Sequence, residues 1–212
     1  MKLKAIVMSL AMVAMLFASC EDSKKKEAEA QAQAEQMRME REKDSLLKVE
    51  AENQAKKAEM EANSIAAKAM GNSDLSTLVS ALQAADMAQT LKGEGEYTVF
   101  APTNEAFSKL PKGKWEDLMK PENKAKLQEL LTYHVVSGTL AFDDLMTKIK
   151  ESENKYEVAT MDGENITLME KNGKVMIKDA KGNTINVATN GMPASNGVVY
   201  TVDKVLTPAT KM

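Results

Sequence analysis

All ten glycines and all five prolines of this 212-residue chain lie at or after Gly71. Eight of the nine aromatic residues lie there too, Phe17 being the exception. Glycine and proline let a chain turn, and aromatic rings fill cores. The first 70 residues therefore lack the means to build a compact domain. Residues 71–212 must carry it, a length that fits one domain with a single core.

Lys2 and Lys4 begin the chain, and an apolar run from Ala5 to Ala18 follows, interrupted only by Ser9. The run is too short to span a bilayer as a helix, which needs about 20 residues. A positive start, a short apolar stretch and small residues after it read as an export signal over residues 1–19. Its end, Leu16-Phe17-Ala18-Ser19-Cys20, resembles a bacterial lipobox, with Phe17 where Leu is usual. Cys20, the only cysteine, is then the lipidation site, in an extracytoplasmic protein held to the outer membrane or cell surface. Two or three acyl chains anchor a protein stably where one does not. Glu21-Asp22 resembles the surface-export tag of some Bacteroidetes lipoproteins. Alternatively, residues 20–26 are only a solvated tether.

Residues 21–70 hold 11 Ala, 10 Glu, 8 Lys and 4 Gln, all good helix formers. Asp44/Lys48 and Glu52/Lys56 add acid-to-base pairs four residues apart. With no breaker before Gly71, one continuous helical stalk over 27–70 is expected, extending roughly 65 Å. Met39, Leu46, Met60 and Ala67 share a heptad position, but Asn53 interrupts them and the partner position is largely polar. A coiled coil wants apolar residues at both positions. The pattern reads as a solvated spacer that self-associates weakly, with a disordered charged linker as the alternative.

Beyond Gly71, Leu75, Leu78, Val79, Leu82, Ala85, Ala88 and Leu91 mark a helical face. Tyr97 to Phe100 reads as a buried strand stopped by Pro102. Thr103 or Asn104 caps a short helix. Pro121 opens another, faced by Leu127, Leu130 and Leu131. His134-Val135-Val136 is short and extended, and Phe142–Lys150 is helical. The period then changes to two, with Asn172-Gly173 as a hairpin signal. Lys181-Gly182-Asn183 is a second turn, and Val198 to Leu206 is the longest strand-like run. Early helices and late hairpins imply an α+β fold with a largely antiparallel sheet.

Thr98-Val99-Phe100-Ala101-Pro102-Thr103-Asn104-Glu105-Ala106-Phe107 resembles the first signature box of the fasciclin (FAS1) domain. The run from Asn196 to Pro208 resembles the second, and Leu131-Thr132-Tyr133-His134-Val135-Val136 resembles the Tyr-His segment between them. The resemblance covers about residues 73–208, with Tyr200 where many members carry His. It implies a twisted β-wedge with packed helices, and a secreted or surface-attached adhesion role. It also nominates Tyr133 and His134 as ligand-binding, because that segment is implicated in integrin binding in animal members. The residues themselves favour a structural role for both. Asp203, in an apolar strand, needs donors if buried, and backbone N–H groups near Thr103 are one candidate.

Little in the chain suggests chemistry. His134 is the only histidine, and no G-x-S-x-G motif surrounds a serine. Asp143-Asp144 reads as a helix cap, and Asp162-Gly163-Glu164 is a turn lacking the further oxygens of a calcium loop. No catalytic residue, metal ligand or cofactor is expected. Net charge is −3 and no Arg follows Arg41, so nucleic acid is not an expected partner. The expected function is a membrane-anchored binding or adhesion module with a protein or glycan ligand. The rivals are an envelope structural lipoprotein working through its stalk, and a small-molecule or glycan carrier.

Overall fold

The computed structural model describes residues 3–92 and 95–209, with side chains described from Gln33 onward. The expected signal segment, Cys20 and the tether lie outside the residues whose side chains are described. The chain divides into two compact units, residues 1–56 and 57–212.

Helix α1 (Leu3–Ala62) supplies the first unit. From Gln33 to Lys56 every residue is exposed, including Met37, Met39, Leu46, Leu47 and Val49. Among the described residues no helix is long and apolar enough to cross a membrane.

The second unit begins earlier than Gly71. α1 breaks at Asn63-Ser64, where Ser64 caps a new helix, α2 (Ile65–Met70), its hydroxyl accepting from the Ala67 N–H. Ile65, Ala66 and Ala69 are buried in the domain core. The expected uninterrupted stalk over 27–70 is therefore corrected at its end: the helix is interrupted at Asn63-Ser64, and residues 57–70 fall in the second unit. Gly71 still closes a helix, but it is α2.

Helix α3 (Ser76–Ala84) follows and stops where Asp86 takes a positive φ of 56°. Ala85, Met87 and Leu91 stay buried although they lie beyond it. Strand β1 (Tyr97–Pro102) leads into α4 (Asn104–Ser108), capped by Thr103 as expected. Then come α5 (Lys114–Leu118), α6 (Lys124–Tyr133), β2 (Val135–Ser137) and α7 (Phe142–Glu151). The rest is β: β3 (Tyr156–Ala159), β4 (Asn165–Lys171), β5 (Lys174–Lys178), β6 (Thr184–Asn186), β7 (Met192–Ala194) and β8 (Gly197–Val202).

Among the described residues the strands form two four-stranded sheets, ordered β2-β1-β8-β7 and β3-β4-β5-β6. The second is an antiparallel meander, with Asn172 and Gly173 both at positive φ in its central turn. That geometry is what a two-residue hairpin demands. The first sheet is mixed, because β1 and β8 run parallel from Tyr97↔Gly197 to Pro102↔Val202. Single bridges, Val136↔Thr160 and Val187↔Val202, join the sheets on both sides.

The fold thus has two cores either side of the mixed sheet. Val99, Ala101 and Val199 point into one, with α2, α3 and α6. Phe100, Val198, Tyr200 and Val202 point into the other, between the sheets and under α7. Strand residues alternate faces, so burial on both sides explains the unbroken apolar character of β1 and β8.

Candidate functional site

Helix α6 delivers Tyr133 and His134 directly into β2, and both side chains point inward. His134 is 2% exposed and Tyr133 is fully buried. His134 Nε2 accepts the Leu206 N–H at 2.9 Å, which leaves the ring proton on Nδ1, 2.7 Å from the Leu130 carbonyl oxygen. Both nitrogens are spent, and burial pushes the imidazole down to about 4 from the usual 6.5. The Tyr133 hydroxyl accepts the Ala180 N–H at 2.9 Å, and burial pushes it up to about 12.

These bonds fasten the last strand-exit segment to the body of the domain. Leu206 is held by His134, Thr207 donates to Asp179 Oδ2 at 3.1 Å, and Ala209 donates to Glu164 Oε2 at 2.7 Å. Asp179 is buried and also receives the Asn183 N–H and Nδ2 at 2.7 and 2.8 Å, closing the turn before β6. The Tyr133-His134 pair is therefore an internal fastening, with neither side chain offered to a ligand. Nothing in the sequence pattern marked Asp179, which lies next to an ordinary-looking turn.

Other expectations resolve locally. Asp203 does find donors, but they are the Asn186 N–H and Nδ2, at 2.8 and 2.7 Å, not groups near Thr103. The Thr103 N–H instead donates to the Val202 carbonyl at 3.2 Å. Asp143 and Asp144 sit in the first turn of α7 without a capping bond, and Ala141 is the cap residue. Their charge there favours the helix N-terminus. Asp162 has its carboxyl raised, first by burial and then by Glu129 and Glu164. Among the described residues no three metal-ligating side chains cluster.

Asn196 and Gly197, which open the second signature run, are closely enclosed. Asn196 is buried, and its side chain accepts the Ile65 N–H and donates to the Leu91 carbonyl, both at 2.8 Å. A Cβ on Gly197 would stand 1.8 Å from the Tyr97 carbonyl oxygen, and its φ is +140°. These residues seat β8 against β1.

The surface formed by the described residues includes two open grooves. One, of about 520 Å³, is lined by Phe107, Leu110, Pro111 and Trp115, the tryptophan packing on Phe107 at 4.5 Å between ring centres. The other, of about 530 Å³, has mixed walls, with Thr103, Asn190, Val187 and Val202 beside the carboxylates of Glu105 and Asp203.

Comparison with known proteins agrees with this architecture. The fasciclin domain model matches residues 73–208. Protein sll1483 of Synechocystis is 44% identical over 140 residues, covering 66% of this chain and 71% of that protein. Cell surface glycolipoprotein MPB83 of Mycobacterium bovis is 35% identical over 156 residues, covering 71% of this chain and 63% of that protein. The FAS1 domain pair of the insect cell adhesion molecule Fasciclin I superposes with a TM-score of 0.61 at 17% identity, covering 70% of this chain and 51% of that one. With the box residues built into β1, α4 and β8 and the family model spanning both cores, the chain belongs to the fasciclin domain family.

Proposed function

We propose that this protein is a lipid-anchored extracytoplasmic binding and adhesion module: a fasciclin domain on a helical spacer, with no catalytic role. The observation that carries the reading is the position of Cys20, the only cysteine in the chain, at the end of the apolar run. Relatives described as a cell surface glycolipoprotein and a cell adhesion molecule support it. So does the interior, where His134 and Tyr133 are committed to internal hydrogen bonds. The test is Cys20→Ser in cells labelled with a radioactive fatty acid. The parent should carry label and sediment with membranes, whereas Cys20→Ser should carry none and become soluble or stay unprocessed. A processed Cys20→Ser protein retained in membranes overturns the anchor.

The exposed Met37, Met39, Leu46, Leu47 and Val49 of α1 favour a second reading, in which the spacer self-associates and serves an envelope structural role. Deleting residues 27–56 distinguishes the two. Ligand binding survives the deletion if the domain is the binding module and is lost if the spacer does the work.

A further inference from the structure

Beyond β8 no backbone ladder holds the chain. Residues 204–209 lie outside any strand, and among the described residues no backbone carbonyl accepts from their N–H groups. Leu206, Thr207 and Ala209 donate to side chains instead: His134 Nε2 at 2.9 Å, Asp179 Oδ2 at 3.1 Å and Glu164 Oε2 at 2.7 Å. Pro208 between them has no N–H to offer. Every N–H from Leu206 to Ala209 therefore ends on a group that can take up a proton. The three acceptors come from the end of α6, the turn after β5 and the turn before β4.

A proton removes or weakens each of these bonds. An imidazole protonated on both nitrogens has no lone pair for the Leu206 N–H. A carboxyl that gains a proton loses the charge that strengthens its bond to Thr207 or Ala209. Burial holds the His134 ring down to about 4, against the Leu130 carbonyl and the Asp179 charge, which both favour its protonation. Asp179, Glu164 and Asp162 face Tyr133, and Glu129 on α6 faces Asp162 together with Glu164. Asp162 opposes the trend: burial, then Glu129 and Glu164, raise its carboxyl, so a proton there relieves the closed arrangement. Lys178 and Lys181 flank Asp179 along the chain and are exposed, and Lys204 Nζ reaches the Thr184 carbonyl at 3.1 Å.

We propose that residues 206–209 form an acid-released latch: proton uptake by His134, Asp179 and Glu164 frees this segment from the domain before the sheets unfold. Release begins here because the bonds are side-chain bonds to titratable acceptors. The β1-β8 pairing just before the segment rests on backbone groups, which no proton in this range removes. Leu206 is fully buried in the core between the sheets, so release opens that core at one end. Such a device is independent of what the domain binds and goes beyond the binding-module reading.

The test follows amide hydrogen-exchange protection factors of the purified full chain by NMR from pH 7 to pH 4. Protection of the Leu206, Thr207 and Ala209 amides should collapse together as pH falls, while Val199 in β8 and Ile177 in β5 stay protected. Each proton coupled to release multiplies the open-to-closed ratio by up to about tenfold per pH unit, so several acceptors give a steeper collapse than one. Glu164→Gln keeps an acceptor oxygen for Ala209 but cannot titrate, so its collapse should be shallower. Tyr133→Phe removes a neighbouring buried bond and no group that titrates in this range, so its collapse should be as steep as the parent's. Loss of protection at Val199 and Ile177 at the same pH as at Leu206 overturns the proposal, because the domain then unfolds as one. So does protection of the three amides that persists to pH 4, or a Glu164→Gln collapse as steep as the parent's.

Discussion

The Asn196 side chain accepts the Ile65 N–H at 2.8 Å although 131 positions separate them in sequence. The same side chain donates to the Leu91 carbonyl, so one buried amide ties α2, the segment after α3 and the start of β8 together. Asn196→Ala leaves a buried N–H and a buried C=O without this partner. Each unsatisfied group costs about 1–3 kcal/mol. Urea denaturation of Asn196→Ala should therefore show a loss of about 2–4 kcal/mol with an unchanged slope. A variant as stable as the parent would mean that Asn196 does not join these elements in solution.

The same contact fixes where the domain begins. Ile65 is 1% exposed and Ala66 and Ala69 are equally enclosed, while Ser195 donates from its hydroxyl to the Met60 carbonyl. A chain starting at Lys57 should melt like the full chain. One starting at Asn72 should melt well below it, because the apolar surface that α2 covers would be opened to water at about 25 cal/mol per Å². Equal melting of the two truncations would place the boundary at Gly71 after all.

This is also where the sequence was least legible. Residues 63–70 share the Ala- and Lys-rich composition of the helix before them, and composition says nothing about which face is covered. The available signals were Ser64, a capping residue, and Ile65, the first large branched apolar residue after Val49. The β4-β5 hairpin, by contrast, was fully legible, because Asn172-Gly173 and the alternating strands are local. The parallel β1-β8 pair was not, since it joins segments about a hundred residues apart and leaves no local mark. For the candidate site, the burial of His134 followed from its apolar neighbours. Its partner Leu206 and the neighbouring anchor Asp179 come from distant segments and needed the fold.

Gly197→Ala should be more damaging than any deletion of a surface side chain. The added Cβ meets the Tyr97 carbonyl oxygen at 1.8 Å, on backbone that cannot retreat without breaking the β1-β8 register, and the φ of +140° disfavours any L residue. The loss should exceed about 3 kcal/mol, the upper range for a strained backbone position. The check is the yield of soluble protein and its denaturation midpoint, and a midpoint near the parent's contradicts the clash.

His134 makes the domain's stability depend on pH. The unfolded chain takes up a proton near pH 6.5, whereas the buried ring does so only near 4. Between those values the unfolded state binds more protons, so stability falls as pH falls. The contribution is whole above about pH 6.5 and is withdrawn on the way down to pH 4. Its full size is on the order of 3 kcal/mol. The cause is geometric as well as solvational. A protonated ring cannot accept the Leu206 N–H, so the segment that Asp179 also holds through Thr207 loses one fastening. Denaturation midpoints measured from pH 8 to pH 4 should decline for the parent. His134→Ala should start lower by about 1–3 kcal/mol, from the loss of two buried hydrogen bonds, and decline less steeply below pH 6.5. Tyr133→Phe removes the acceptor for Ala180 but no titrating group in this range, so it should lower the stability by about 1 kcal/mol and keep the parent's slope. If His134→Ala keeps the full slope, the acid sensitivity resides in carboxylates elsewhere and not in the imidazole.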